Sequence, residues 1–353
     1  MRRATPARPG KPTINDVARA AGVSRATVSR VINDAAGASP SIRTRVRSVA
    51  AELGYEPSAA ARALATGRPR TIEVIATGFH PFGGWLGTHP YYSRVLAGAM
   101  SALEGTDTQL RIHSLALQRG LEAVDAVAED TTVGALLANV TPELAMRFYL
   151  RCRRVISLVP TAPAVPSLEV DNIAGVRTAV NHLHRLGRRR IVAIHGPDTS
   201  TCAEQRRDGY RSAIEELGLP DLSADGGFTR EGGRNAAQEL LERHPEIDAM
   251  FVACDLMAAG AIQAVTATGR RVPEDVAIIG FDDSIAASCA NPPLSTIRLS
   301  VEQMAADATR MLLNGDPDFG YRKRYPVELV LRESTPNPLS HPQATDVTSL
   351  RSS

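Results

Sequence analysis

Thr13–Asn33 reads TINDVARAAGVSRATVSRVIN, and this stretch decides how the front of the chain folds. Ile14, Val17, Ala18 and Ala21 recur at helical spacing and give a first helix one apolar face. Thr13 followed by Asp16 is the pattern of an N-cap with an acidic first turn. Gly22 permits the left-handed backbone of a tight helix–helix turn. Ser24 is placed to cap a second helix, whose Val28, Val31 and Ile32 turn inward. Arg25, Ala26, Ser29 and Arg30 are left outside. Two helices joined in this way, the second with a polar outer face, form a helix-turn-helix suited to the DNA major groove.

A third helix follows, starting at Ser39 or Ser41. Its apolar stripe is Ile42, Val46, Val49, Ala50 and Leu53, and Gly54 is placed to end it. Arg43, Arg45 and Arg47 lie on its outer side, where they can meet phosphates. Residues 1–70 hold thirteen Lys and Arg against four Asp and Glu, a net of +9. The whole chain carries 40 against 38, so the remainder is at −7. A basic head on an acidic body is the electrostatic footprint of nucleic-acid binding.

These residues resemble the LacI/GalR family of transcription regulators, and the resemblance runs over roughly residues 13–335. It continues through ELGYEPSAAARALATGR at Glu52–Arg68, VDN at Val170–Asn172 and HLHRLGRRRIVAIHG at His182–Gly196. It resumes with AEQRRDGYRSAIEELGL at Ala203–Leu219, ACDLMAAGAIQAV at Ala253–Val265 and RVPEDVAIIGFDD at Arg271–Asp283. PPLSTIRLS at Pro292–Ser300 and ELVLREST at Glu328–Thr335 close it. The resemblance implies a helix-turn-helix head, a hinge helix, and an α/β body of the periplasmic-binding-protein kind. In that body two parallel-sheet subdomains flank a ligand cleft.

The expected boundaries are a basic disordered tail at 1–12, the DNA-binding head at 13–56, and hinge and linker at 57–70. An effector-binding and dimerisation body spans 71–336, and a disordered tail spans 337–353. Within the body, 71–168 plus 297–336 are expected in the first subdomain and 169–296 in the second. The composition agrees with an α/β body. Apolar runs at Thr71, Gln109, Gly134, Arg154, Arg190, Ala249 and Asp275 alternate with helical stretches such as Cys202–Leu217 and Leu256–Thr268.

On the DNA side the resemblance places Arg30 for base reading, since a guanidinium can bond both acceptors of guanine. Arg25 and Ala26 occupy the positions that vary among relatives and set operator preference; Arg25 reads a base or contacts phosphate. Thr27, Ser29 and Asn33 are expected to bond phosphates and fix register, with Thr13 and Ser24 at the helix starts. Ala60, Arg62 and Leu64 belong to the hinge helix. Leu64 matches the leucine that wedges into the minor groove, or it is an ordinary linker residue. On the effector side the candidates are Trp85, Tyr91, Tyr92, Asp171, Arg206, Cys254 and Asp282. Arg206 and Asp282 together suit a polyol, although Arg206 could be a surface charge and Asp282 a cap. Trp85 stacks on a sugar ring or packs on its own lobe. Cys254 stands where the family usually has Asn, and a thiol is a poor partner for a sugar hydroxyl. A sugar or oligosaccharide is the first expectation for the effector, a nucleoside-like or other small polar ligand the second, and no ligand the third.

No apolar run approaches the roughly 18 residues of a membrane span, and no apolar stretch marks a signal peptide. The four cysteines lack metal-ligand spacing and are expected to be reduced, buried or semi-buried thiols. No metal, cofactor or catalytic residue is expected. GxSxG, P-loop and HExxH motifs are absent, and GGFTREGG at Gly226–Gly233 does not follow an apolar strand in the dinucleotide-binding manner. The expected function is a cytoplasmic, homodimeric regulator, a repressor of carbohydrate-related genes, binding a palindromic operator. A sugar-binding transport protein would share the body but not the basic head. An α/β body alone would also permit an enzyme. No leucine heptad follows Thr335, so no tetramerising tail is expected.

Overall fold

The computed structural model describes residues 12–32, 37–55, 69–78, 89–116 and 120–336. Asn33, the hinge residues Ala60, Arg62 and Leu64, Trp85, and both terminal tails lie outside the described residues.

The head is three helices, α1 (Ile14–Ala21), α2 (Arg25–Ile32) and α3 (Pro40–Glu52). A capping box starts α1. Thr13 Oγ1 accepts from the Asp16 amide, and Asp16 Oδ2 accepts from the Thr13 amide at 2.9 Å. Gly22 ends the helix at φ +64°. Val17, Ala18, Ala21, Val28, Val31, Val46 and Ala50 form a small closed core. Leu53 does not join it. The end of α3 carries Leu53 past the seam, and it stands 40% exposed. Ser39, not Ser41, is the N-cap of α3.

The body follows as β1 (Thr71–Gly78), α4 (Pro90–Leu103), β2 (Gln109–Ala116), α5 (Gly120–Asp130), β3 (Gly134–Ala138), α6 (Pro142–Arg151), β4 (Val155–Ser157) and β5 (Ser167–Val170). Next come α7 (Asn172–Arg185), β6 (Ile191–His195), α8 (Thr201–Leu217), β7 (Ser223–Asp225), α9 (Arg230–Arg243), β8 (Ala249–Val252), α10 (Asp255–Ala267) and β9 (Ala277–Asp282). The chain closes with α11 (Ile285–Ser288), β10 (Ser295–Arg298), α12 (Val301–Asn314), β11 (Arg322–Tyr325) and β12 (Glu328–Val330).

Among the described residues two six-stranded sheets result. The first runs β11-β5-β4-β3-β1-β2 and is parallel throughout; the second runs β12-β10-β9-β8-β6-β7. In the second sheet only β12 is antiparallel, paired to β10. Both are covered on two faces, which explains central strands that are apolar without alternation, such as Ile191–Ile194 and Ala277–Phe281.

The chain crosses between lobes three times: after β5, after β10 and after β11. The expected return of 297–336 to the first lobe therefore needs correction. Residues 301–325 return, but Ile297 and Arg298 belong to β10, and Glu328–Val330 pairs back onto that strand. Ser334 seals the return, its hydroxyl accepting from the Ser295 amide at 2.8 Å and donating to the Ile278 carbonyl at 2.6 Å. Five further strands were not among the apolar runs read from the sequence: β5, β7 with sequence SAD, β10, β11 with sequence RKRY, and β12.

Close helix packing depends on glycine at two places. A Cβ on Gly98 of α4 would lie 2.2 Å from the Glu302 carbonyl oxygen of α12. One on Gly260 of α10 would lie 2.0 Å from the Arg230 carbonyl oxygen of α9. GGFTREGG lies between the short polar edge strand β7 and α9, with no apolar strand before it, and its Gly233 is there for packing: a Cβ would meet the Met257 carbonyl oxygen at 2.3 Å. No helix among the described residues is long and apolar enough to cross a membrane.

Candidate functional site

The head presents α2 outward. Ser24 caps it: its hydroxyl accepts from the Thr27 amide at 3.1 Å and meets the Thr27 hydroxyl at 2.9 Å. Thr13, Ser24 and Thr27 are thus already engaged in holding helix starts. Arg25, Ala26 and Arg30 are exposed on one face, with Ser29 half-buried beside them. On α3, Arg45 and Arg47 are exposed, whereas Arg43 donates to the Ala38 carbonyl at 3.3 Å and steadies the helix entry.

In the body, parallel strands bring their carboxyl ends to a cleft between the lobes. Tyr91 and Tyr92 enter from the first turn of α4. Asn139 follows β3, Leu158 and Val159 follow β4, and Asn172 opens α7 after β5. Cys254 follows β8, Asp282 ends β9, and Leu299 and Val301 follow β10.

Arg206, on the buried side of α8, is the centre of this wall. Its Nε donates to Asn172 Oδ1 at 3.0 Å, its Nη1 to the Ala253 carbonyl, and its Nη2 lies 3.3 Å from Asp282 Oδ1. Its guanidinium carbon also sits 3.9 Å from the Phe281 ring centroid. A buried charge is tolerated only when paired and bonded, and this one is held on every side. Arg206 is 5% exposed, so it is no surface charge. Asp282 is not a cap; it is a buried carboxylate facing Arg206.

Asp282 adopts φ +115°, a conformation that side-chain-bearing residues rarely take. Burial pushes its carboxyl above the usual range, while Arg206 and Arg94 pull the other way. Beneath it, Asp255 accepts from the Thr296 hydroxyl at 2.5 Å and the Ser284 amide at 2.7 Å. Burial, and the nearby Asp282 charge, raise Asp255 to about 8.

Cys254 is fully buried, and burial pushes its thiol well up, so it is an inert wall. Cys289 is exposed, unlike the buried or semi-buried thiol expected of it. His89 caps α4 by accepting the Tyr91 amide on Nδ1 at 3.2 Å. Burial, helped by Arg206, lowers His89 to about 4, so its ring is neutral. His89, Cys254 and Asp282 bring a nitrogen, a sulfur and a carboxylate oxygen within 4.8 Å of one another. A cation there would compete with the Arg206 guanidinium already beside Asp282, so the donor set does not favour a metal.

Asp171 does not line the cleft. It is the N-cap of α7, accepting the Ala174 amide at 3.0 Å. Its neighbour Asn172 lines the cleft instead and orients Arg206. An acid at a strand–helix junction is the ordinary signature of a cap, and that signal could have separated the two. His89, Asn139 and Phe228 were not among the sequence candidates; Asn139 and Phe228 sit at positive φ in turns that only the sheets bring together.

Residues 13–58 match the model of bacterial regulatory proteins of the lacI family, and residues 180–335 match that of a periplasmic binding protein-like domain. The HTH-type transcriptional regulator CelR of Thermobifida fusca is 34% identical, covering 92% of this chain and 98% of the relative. A solved CelR–cellobiose complex superposes with a TM-score of 0.68 at 31% identity, over 92% of this chain and 99% of that one. The lac repressor dimer bound to operator and the anti-inducer ONPF gives 0.68 at 27% identity, with the same coverage.

Proposed function

The chain belongs to the LacI family of bacterial regulatory proteins, and we propose that it is a carbohydrate-responsive repressor whose effector is a glucose disaccharide of the cellobiose kind. DNA-binding regulation by a dimer is the family's function, and a DNA target puts the protein in the cytoplasm. The observation that carries the effector reading is the Arg206–Asp282 pair at the base of a cleft with apolar and aromatic walls. A carboxylate and a guanidinium fixed side by side can accept from and donate to vicinal hydroxyls. Tyr91 and the neighbouring apolar side chains offer surface to the flat faces of a sugar. Cellobiose is the first candidate because a relative covering nearly the whole chain was solved with it.

The site roles are part of this proposal. Arg30 reads a guanine, Arg25 and Ala26 tune the choice of bases, and Ser29, Thr27 and Asn33 fix register on the phosphates. Leu64, flanked by Ala60 and Arg62, wedges the minor groove at the centre of a palindrome. A ligand that prefers one arrangement of the lobes shifts that equilibrium and so the hold on DNA.

The deciding experiment is to map occupied genomic sites at near-physiological salt, then titrate a recovered operator complex with cellobiose, ribose and a nucleoside panel. Palindromic sites beside glycoside uptake or hydrolase genes, with release by cellobiose alone, are the expected result. Release by a nucleoside and not by cellobiose overturns the effector assignment.

A further inference from the structure

Arg94 is one turn along α4 from the two tyrosines of the cleft. Its side chain is 16% exposed and spends nearly all of its donors on three partners. Nε and Nη2 grip Glu302 at 2.6 and 2.8 Å, a bidentate pair between α4 and the first turn of α12. Both of those helices belong to the first lobe. Nη1 donates to the main-chain carbonyl of Asp282 at 2.6 Å, and Nη2 also donates to that of Leu299 at 2.7 Å. The Asp282 carbonyl ends β9 and the Leu299 carbonyl directly follows β10, two strands of the second lobe that lead to the cleft.

Asp282 needs such support. Its φ of +115° is a strained conformation for a residue with a side chain and persists only where the surroundings over-determine it. Arg206 holds its carboxylate, and Arg298 and Arg332 hold the carboxylate of Asp283 next to it, at 2.7 and 2.6 Å. Only Arg94 holds the peptide from the opposite lobe among the bonds described. Leu299 stands at the crossover, two residues before α12 begins at Val301.

We propose that Arg94 is a positioning residue that couples the effector cleft to the relative placement of the two lobes. It does so through its bonds to the Asp282 and Leu299 carbonyls, not through its ion pair with Glu302. The ion pair joins two helices of one lobe and cannot report a movement between lobes. The carbonyl bonds span the lobes, and a ligand that engages the Asp282 carboxylate moves the same peptide that Arg94 grips. The inference rests on the effector-cleft reading.

The test uses the full chain with Arg94→Lys, Arg94→Met and Glu302→Gln. Lysine keeps a charge for Glu302 but has no fork to reach two carbonyls as well. Operator affinity is measured with and without cellobiose, and cellobiose affinity is measured separately without DNA. Arg94→Lys is expected to bind cellobiose within about threefold of the parent. Its ratio of operator affinities should fall by about fivefold or more toward unity, the range of a typical coupling. Glu302→Gln should keep the parent ratio. Amide exchange at Asp283, Ser284 and Leu299 should quicken in both Arg94 variants and not in Glu302→Gln. An Arg94→Lys protein with the parent ratio overturns the proposal, as does a Glu302→Gln protein that loses it. If the parent ignores cellobiose, the ligand assignment fails by itself. Exchange then decides: unchanged rates at 283–284 and 299 in Arg94→Met overturn the clamp, and faster rates confined there support it.

Discussion

The guanidinium of Arg206 packs 3.9 Å from the centre of the Phe281 ring while facing the carboxylate of Asp282, the next residue in the chain. One strand end therefore supplies both an aromatic seat and a counter-charge. The ring sits among apolar groups, so the pair is desolvated and its direction is fixed before any ligand arrives.

Removing one member of this pair leaves the other buried and uncompensated. Arg206→Met is expected to cost about 3 kcal/mol of body stability. It should leave operator binding by the head intact and abolish the response to cellobiose. The double change Arg206→Met with Asp282→Asn should recover part of that stability, because the stranded charge is gone. Denaturant midpoints and operator titrations check both, and a single variant that still responds normally places the ligand elsewhere.

Arg30 is exposed on the outer face of α2, and none of its side chain belongs to the head core. Arg30→Ala should lose about 1–3 kcal/mol of preference for the correct base, with the helical content of the head unchanged. Competition between operator and scrambled duplex measures this. Equal selectivity in parent and variant removes Arg30 from base reading.

Gly98→Ala would drive a methyl group into the Glu302 carbonyl, 2.2 Å away, with only backbone to yield. The expected cost is about 1–3 kcal/mol, seen as a lower unfolding midpoint of the body. A midpoint equal to the parent's would mean that α4 and α12 separate without penalty.

His195 is 2% exposed, and its ring meets Tyr210 edge-on at 5.6 Å. Neither ring nitrogen has a hydrogen-bond partner among the described residues. Burial, followed by the charges of Arg207 and Arg211, lowers it to about 3. A histidine that resists protonation when folded but accepts a proton near pH 6.5 when unfolded makes stability fall as pH drops from 6.5 toward 3. At pH 5 the contribution is about 2 kcal/mol, at 1.36 kcal/mol per pH unit. His89 acts in the same direction down to about 4. Asp255 acts oppositely: raised to about 8, it makes stability fall as pH rises from its unfolded value toward 8. His195→Phe should therefore flatten the acid side of the stability profile and leave the alkaline side alone. Chemical unfolding at pH 5 and pH 8 tests it, and an equal gain at both pH values rejects the titration account.

The sequence by itself determined the local elements. Thr13 with Asp16, Gly22, and the helical spacing of Val17, Ala21, Val28 and Val31 specify the head, because caps and apolar periodicity act over a few residues. Continuous apolar runs specified the buried central strands for the same reason. The charge division between head and body could be counted directly. The polar edge strands could not be read: Arg322–Tyr325 and Ser223–Asp225 lack apolar signal, and only a neighbour's unpaired backbone makes them strands. The return of Glu328–Ser334 to the second lobe was hidden because pairing partners thirty or more residues away leave no local mark. The cleft divided along the same line. Arg206 and Asp282 were nameable from their motifs, whereas Asp171 and Asn172, adjacent in sequence, took opposite duties. The cap carries a local signature at its strand–helix junction, but only tertiary structure decided that Asn172 orients an arginine. It alone also brought Arg94 to the carbonyl of Asp282, 188 positions away.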